Sequence, residues 1–345
     1  MFHVGRRLRS LLWVSLSAIA LVAVAIGFAF LVRYFLNDRP IVLPRPRGPH
    51  PVGRVLADWK DTRRNRELMV FIWYPAVDGA SGPRCEYIPG EWGKLEAKNT
   101  LPIPAKRLEQ IEVSSIRDAQ PASGPMPVLI LLPGMGRIPA HYTTIAEDLA
   151  SYGFLVAGVT PTGSARPAVI FSDGHRVTGD DEPRLNDRAA AEQLVKTWAG
   201  DASFVLDRLA RDSRFIARPD GVGIFGHSFG GNVALHALAM DARFTRAANL
   251  DGSLFGDPLT MTGKPMMILC GEVIDDEWKP PCASGAATCA AFPKAEHMDF
   301  SDAAVYPSRF PIPKRMLLLG NVDGPEFLRG VSDRLRRFFG GARLQ

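Results

Sequence analysis

The sequence has few cysteines and almost no net charge outside its N-terminal region. Only four of the 345 residues are cysteine, and no Cys/His spacing resembles a zinc site, so we expect no metal. The net charge is +5, but seven arginines and one aspartate in residues 1–50 contribute +6 and leave −1 for the remainder. Without a basic stripe in the folded part, we expect no nucleic-acid partner.

The N-terminal region instead has the pattern of a membrane segment. Residues 11–32 contain no charged residue, and 22 residues at about 1.5 Å each match a hydrocarbon core of about 30 Å. Arginines at positions 6, 7 and 9 precede this run, which predicts an uncleaved helix with a cytoplasmic N-terminus and an exported domain beyond it. The alternatives are a cleaved signal peptide and a buried core helix.

We therefore divide the chain into three parts. Residues 1–38 form a cytoplasmic stub and transmembrane anchor, residues 39–51 a Pro-rich linker, and residues 52–345 the folded domain. Hydrophobic residues make up 46% of the sequence, which suffices for one large core. In an exported domain Cys282 and Cys289 are close enough along the chain to form a disulfide, which the sequence leaves open, whereas Cys270 lies in an apolar run typical of a buried thiol.

Apolar runs alternate with helix-like stretches from residue 52 onward. This alternation predicts an α/β fold with a mostly parallel central sheet, helices on both faces and an antiparallel pair at the start. We expect residues 76–125 and 161–182 to be irregular. The predicted strands are 52–59, 68–74, 128–132, 154–159, 221–225, 247–250, 266–270 and 288–292, and the predicted helices are 142–152, 183–211, 232–240 and 325–339.

The most specific motif lies between a predicted strand and a predicted helix. Residues 226–230 read Gly-His-Ser-Phe-Gly, which is a G-x-S-x-G sequence. In the strand–turn–helix context this motif is the nucleophile elbow of an α/β-hydrolase, whose glycines leave room for a tight turn under the serine. The motif predicts that Ser228 is a nucleophile, and the alternative is a simple Gly-rich turn.

A serine nucleophile needs a general base and an acid that orients it. In this fold the acid and then the histidine follow the serine along the chain. His236 lies on the helix directly after the elbow, so His297 is the expected base. Spacing leaves the acid open, because Asp251 ends one predicted strand, whereas Asp275 and Asp276 follow the next one.

Two backbone N–H groups are needed to stabilise the oxyanion. The residue after the nucleophile, Phe229, supplies one of them in this fold. We expect the second from Met135, in the Pro-Gly-Met-Gly sequence that follows the strand at 128–132. A simple turn is the alternative for that segment.

Together these segments resemble the plasma-type platelet-activating factor acetylhydrolases and their bacterial relatives. The resemblance runs from about residue 52 to residue 339. It implies Ser228 as nucleophile, His297 as base, Asp251 as acid, and the amides of Met135 and Phe229 as oxyanion donors. The segments that carry it are Leu-Pro-Gly-Met-Gly at 132–136, Asp-Leu-Ala-Ser-Tyr-Gly-Phe at 148–154, Gly-His-Ser-Phe-Gly-Gly at 226–231, Asn-Leu-Asp-Gly at 249–252 and His-Met-Asp-Phe at 297–300.

The resemblance also implies the chemistry and its limits. It implies hydrolysis through an acyl-enzyme, without a cofactor, of esters with short or oxidised acyl chains such as phospholipid sn-2 esters. The family usually has His-Gly where this chain has Pro133-Gly134, and residues 161–165 lack the charged residues usual there, so phospholipid specificity does not carry over directly. The alternatives are a polyester, lactone or peptide hydrolase on the same scaffold, and a non-catalytic scaffold for binding at the membrane.

Overall fold

The computed structural model describes Trp13 and residues 16–29, 40–99, 110–254, 263–272, 274, 276–308 and 313–341. The strands are β1 (Val52–Asp61), β2 (Arg66–Pro75), β3 (Ile116–Arg117), β4 (Met126–Leu132), β5 (Leu155–Val159), β6 (Ala168–Ile170), β7 (Arg176–Thr178), β8 (Ala217–His227), β9 (Phe244–Leu250), β10 (Met266–Cys270) and β11 (Ala287–Ala291). The α-helices are α1 (Gly90–Asn99), α2 (Thr143–Ser151), α3 (Arg188–Leu209), α4 (Phe229–Met240), α5 (Lys279–Ala283) and α6 (Gly324–Gly340).

One large sheet organises the described part of the chain. Its strand order is β11-β10-β9-β8-β4-β5-β2-β1-β3, and the five neighbouring pairs from β11 to β5 are all parallel. β2 runs antiparallel to both β1 and β5. The mostly parallel sheet with an antiparallel leading pair, predicted from the apolar pattern, is therefore confirmed.

The continuous apolar run of β4 is explained by burial on both faces of the sheet. Leu129 and Leu131 belong to the core on the side of α2 and α6. Val128, Ile130 and Leu132 belong to the core on the side of α3 and α4. Because successive side chains of a strand point to opposite faces, a strand covered on both sides needs apolar residues at every position.

Three local expectations were wrong. The segment expected to be irregular contains α1, and the expected loop 161–182 contains the antiparallel pair β6 and β7. The long helix begins at Arg188, later than predicted, because Glu182–Asn186 forms a separate 3₁₀ helix. Asp187 then caps α3 by accepting a hydrogen bond from the Ala190 N–H at 2.7 Å.

The predicted membrane anchor is only partly covered by the described residues. Of the run 11–32 the structure describes Trp13 and residues 16–29, which are helical and exposed. No helix among the described residues is long and apolar enough to cross a membrane. The remaining residues of the predicted anchor lie outside the described part of the chain.

A buried carboxyl group holds the start of α2 in place. Asp302 accepts hydrogen bonds from the backbone N–H groups of Thr143 at 2.9 Å and Thr144 at 3.1 Å. It also accepts one from the Tyr87 hydroxyl at 3.1 Å. Burial raises the pKa of Asp302 to about 7 in spite of these hydrogen bonds.

This carboxyl group predicts a specific dependence of stability on pH. The unfolded chain ionises Asp302 near pH 4, whereas the folded chain holds the proton to about pH 7. Between these values the folded state binds more protons, so the contribution of Asp302 to the free energy of unfolding falls as pH rises. In urea unfolding, the free-energy difference between wild type and Asp302→Asn should therefore decrease from pH 4 to pH 7. The exposed Asp276→Asn is the control, and a constant difference for Asp302→Asn would contradict the prediction.

Candidate active site

The turn between β8 and α4 places Ser228 at the carboxyl edge of the sheet. Ser228 has φ +55° and ψ −128°, a conformation that costs a non-glycine residue on the order of 1–3 kcal/mol. Its N–H donates to the Leu250 carbonyl at 2.9 Å, and its own carbonyl accepts from the Gly231 N–H at 2.9 Å. These two hydrogen bonds tie the strained residue to β9 and to the first turn of α4.

The glycines of the motif are required by close backbone contacts. A Cβ atom on Gly226 would lie 2.3 Å from the Gly230 carbonyl oxygen. A Cβ atom on Gly230 would lie 2.3 Å from the Pro133 carbonyl oxygen. The turn at Ser228 therefore packs directly against the segment that follows β4.

Asp251 follows β9 and contacts His297. Its Oδ2 lies 2.6 Å from His297 Nδ1, and its Oδ1 accepts from the Gly271 N–H at 2.6 Å. Burial raises the pKa of Asp251, but the hydrogen bonds from His297 and Gly271 outweigh it and the pKa is lowered. The carboxylate is therefore ionised at neutral pH, and as an acceptor it requires the hydrogen of the His297 ring on Nδ1.

The other two candidate acids are not placed against His297. Asp276 is 95% exposed and pairs with Lys279 at 2.6 Å. Asp275 lies outside the described residues. Among the described candidates the structure thus brings only Asp251 to His297.

His297 begins a single 3₁₀ turn, His297–Phe300, that buried polar groups hold in place. Asp299 accepts hydrogen bonds from the N–H groups of Glu296 and Gly320, both at 2.8 Å. The Met298 N–H donates to the Leu318 carbonyl at 3.1 Å. The backbone around His297 is therefore fixed, while 39% of its side chain is exposed towards the cleft.

All five residues expected in the site line one cavity of about 480 Å³. This volume lies within the range of small-molecule sites. The residues around it are Met135, Leu185, Ser228, Phe229, Asp251, Ser253, Gly271, Glu272, Ala295, Glu296 and His297. The structure therefore brings together the serine, the histidine, one candidate acid and both candidate oxyanion residues.

The sequence analysis missed residues that hold this arrangement. Asn249 accepts from the Gly252 N–H and donates to the Gly252 carbonyl, both at 2.8 Å, which fixes the turn that carries Asp251. His227 and Tyr142 lie under the elbow and are hydrogen-bonded to each other at 2.9 Å. The Asn249-Leu-Asp-Gly252 spacing was a usable signal, whereas nothing local in the sequence links residue 142 to residue 227.

A disulfide joins Cys282 in α5 to Cys289 in β11, with the Cα atoms 5.7 Å apart. The Cys270 thiol is buried, as predicted. Among the described residues no group of His, Cys, Asp and Glu is placed to hold a metal ion.

Comparison with known proteins tests the family resemblance that the sequence motifs indicate. No family model matches the chain. The chain is 27% identical over 247 residues to the "Probable 1-alkyl-2-acetylglycerophosphocholine esterase" of Arthroderma benhamiae, covering 63% of this chain and 60% of that protein. It is 25% identical over 247 residues to the platelet-activating factor acetylhydrolase of Cavia porcellus, covering 62% and 56%. The resemblance expected from the sequence is thus confirmed, although the chain spans only part of these relatives.

A solved structure extends the comparison to most of the chain. The ferulic acid esterase from Streptomyces cinnamoneus superposes with a TM-score of 0.75 at 27% identity, covering 87% of this chain and 92% of that one. The chain therefore has an α/β-hydrolase-like fold with a mostly parallel central sheet.

The close contacts at the elbow lead to a stability prediction. Gly226→Ala should lower the free energy of unfolding by about 2–3 kcal/mol, because the new methyl group meets backbone atoms that have no free space to move into. Gly330→Ala in α6 is the matched control, since its Cβ meets only the Arg334 side chain at 3.5 Å, and it should raise stability by up to about 1 kcal/mol. Chemical unfolding measures both, and equal effects would contradict the packing argument.

Proposed function

We propose that the protein is a serine ester hydrolase in which Ser228 forms an acyl-enzyme. The observation that carries the proposal is the 2.6 Å contact between Asp251 and His297 beside the cavity that Ser228 also lines. The strained backbone of Ser228 supports it, because such strain is concentrated at functional sites.

The protonation state of the pair determines the direction of proton transfer. Asp251 accepts from His297 Nδ1–H, so the neutral ring keeps a free electron pair on Nε2. That nitrogen takes the proton of Ser228 as the hydroxyl oxygen attacks the ester carbonyl. The amides of Met135 and Phe229 stabilise the oxyanion, and the His297 imidazolium gives its proton to the departing alcohol. Water activated by His297 then cleaves the acyl-enzyme and releases the acid.

The substrate proposed is an ester with a short or oxidised acyl chain, such as a phospholipid sn-2 ester. The names of the Arthroderma benhamiae and Cavia porcellus relatives support this class. The cavity lining supports it too, because Asp251, Glu272 and Glu296 interrupt its apolar side chains. A long alkyl chain requires a more continuous apolar surface.

An ester of an aromatic acid is the second candidate. The observation that favours it is the similarity to the ferulic acid esterase, which covers 87% of this chain, against 63% for the first of the curated relatives. Met135, Leu185 and Phe229 supply apolar contacts that suit a flat ring.

We place the enzyme outside the reducing cytosol. The Cys282–Cys289 disulfide supports this setting, since structural disulfides persist in oxidising compartments. Attachment to the membrane through residues 11–32 stays a prediction from the sequence.

Covalent labelling tests the nucleophile and the acid together. A fluorophosphonate probe should label the wild type and leave Ser228→Ala unlabelled. Asp251→Asn should slow labelling by roughly 10³-fold, because the amide no longer favours the reactive ring tautomer of His297. The matched control Asp276→Asn should label at the wild-type rate. Equal labelling of wild type and Ser228→Ala would overturn the proposed nucleophile.

An ester series tests the substrate class. The series comprises p-nitrophenyl esters of increasing acyl length, a 1-alkyl-2-acetyl phospholipid, methyl ferulate, a lactone, a polyester film and a peptide. We expect kcat/KM to be highest for acetyl to butyryl esters and to fall by about tenfold or more at longer chains. A preference for methyl ferulate would select the second candidate. Absence of turnover with a normal fold would favour a binding scaffold.

A further inference from the structure

A buried series of hydrogen bonds connects the segment after β4 with the backbone of His297. It begins at the Gly134 N–H, which donates to the Tyr142 hydroxyl at 3.0 Å. The Tyr142 hydroxyl lies 2.9 Å from His227 Nδ1, and His227 Nε2 lies 2.8 Å from the His297 carbonyl oxygen. Tyr142 and His227 are at most 1% exposed, so water does not compete for these groups.

The direction of every hydrogen bond in the series is determined. The His297 carbonyl only accepts, so His227 Nε2 carries the hydrogen. A neutral ring then accepts on Nδ1, and the hydrogen comes from the Tyr142 hydroxyl. The Tyr142 oxygen is left to accept from Gly134. Each donor and acceptor in the series is therefore satisfied in one arrangement only.

The neutrality of His227 matters for the neighbouring base. Burial is the main cause that lowers the pKa of His227 to about 3, and the His297 ring lowers it further. Arg137 also lowers this pKa, whereas Asp251 raises it. The two imidazole centroids are 4.5 Å apart, so a charged His227 would oppose the imidazolium that His297 becomes during turnover.

We propose that His227 and Tyr142 are positioning residues that hold two loops in register across the elbow. The first is the oxyanion loop, residues 133–136, and the second is the base loop, residues 295–300. The inference rests on the proposed ester hydrolysis, but it goes beyond it by giving the residue before the nucleophile a separate task. Neither side chain is among the residues that line the cavity, so Tyr142 acts through Gly134 and His227 acts through the His297 backbone.

Loss of either positioning residue should slow the chemical step and leave substrate binding almost unchanged. Tyr142 holds the oxyanion loop by the Gly134 N–H, and Gly134 lies against Ser228, since a Cβ on Gly134 would be only 3.2 Å from Ser228 Cβ. His227 fixes the position of the base loop, since its Nε2–H donates to the backbone carbonyl of His297. A displacement of about 1 Å in either loop costs on the order of 10²-fold in rate.

The first test compares two tyrosines that lose the same atom. Tyr142→Phe should lower kcat on a p-nitrophenyl acetate substrate by about 10- to 100-fold, with KM changed by about twofold at most. Tyr74→Phe is the matched control, because Tyr74 is also buried and donates one hydrogen bond, to the Ala119 carbonyl at 2.7 Å. It should lose similar stability and keep wild-type kcat. Equal kcat in both variants would overturn the proposal.

The second test separates the two nitrogens of His227. In His227→Gln the side-chain amide takes the place of Nε2–H and reaches the His297 carbonyl. In His227→Asn the amide oxygen replaces Nδ1 as the acceptor for Tyr142, but nothing reaches His297. We expect His227→Gln to keep kcat within about tenfold of the wild type and His227→Asn to lose about 100-fold. Equal losses would overturn the assignment of the base loop to Nε2.

A measurement that needs no turnover distinguishes this inference from the proposed function. Hydrogen–deuterium exchange should become faster in the oxyanion loop of Tyr142→Phe and in the base loop of His227→Asn, and it should stay unchanged in both loops of Tyr74→Phe. A wild type without esterase activity would overturn the proposed function. The hydrogen–deuterium exchange rates of the variants would still test whether Tyr142 and His227 hold the two loops. Unchanged exchange in both loops would overturn the network even in an active enzyme.

Discussion

The backbone turn at Ser228 is the constraint on which the rest of the site depends. The strain at φ +55° is tolerated because the Ser228 N–H and carbonyl are both hydrogen-bonded, to Leu250 and Gly231. The neighbouring segments approach so closely that glycine is required, and a Cβ on Gly252 would lie 2.1 Å from the Ser228 carbonyl oxygen. The turn therefore fixes the positions of the loops that follow β4 and β9.

Buried carboxyl groups accept hydrogen bonds from the backbone N–H groups of the irregular loops, as neighbouring strands do within the sheet. Loop N–H groups have no regular partner, and an unpaired buried N–H costs about 1–3 kcal/mol. Asp299 satisfies two such groups at the base loop, and Asp302 satisfies two at the start of α2. Asp251 uses one oxygen for the Gly271 N–H and the other for His297. Asp251, the acid of the proposed site, therefore also satisfies a backbone N–H group, and the hydrogen bond from Gly271 fixes the orientation of its carboxylate.

The sequence predicted the large elements and the turn around Ser228 because each has a local signal, whereas His297 stays a prediction made from chain order. The strands β4, β5 and β10 are runs without a polar side chain, and the elbow has its own motif. The order of the strands alone does not identify the acid, because β9 and β10 are neighbours and both end at the same edge of the sheet. Asp251 is placed against His297 by the turn that Asn249 and Gly252 fix, and the Asn-Leu-Asp-Gly sequence at 249–252 is the signal for that turn.

The features that the sequence analysis missed, such as β6, β7 and the contact between Tyr142 and His227, depend on tertiary contacts. β6 and β7 have three residues each, too few for an alternating pattern to be recognised, and they are stable as a pair only because they pack on the body of the protein. The contact between Tyr142 and His227 joins residues 85 positions apart and depends on the order of the strands that carry them. Contacts between distant residues depend on the order in which the strands pair, and a single sequence does not show that order directly.

The fold limits the chemistry more strongly than it limits the substrate. The elbow, the base loop and the oxyanion loop follow strand ends and are coupled through backbone contacts, so a change in one would disturb the others. Leu185, by contrast, lines the cavity from the 3₁₀ helix Glu182–Asn186, away from the hydrogen bonds that hold Ser228, so its side chain can vary without moving Ser228. This separation explains how one scaffold resembles both an acetylglycerophosphocholine esterase and a ferulic acid esterase. In the proposed reaction the cavity wall therefore decides which acyl group Ser228 accepts, and the elbow decides how that group is cleaved.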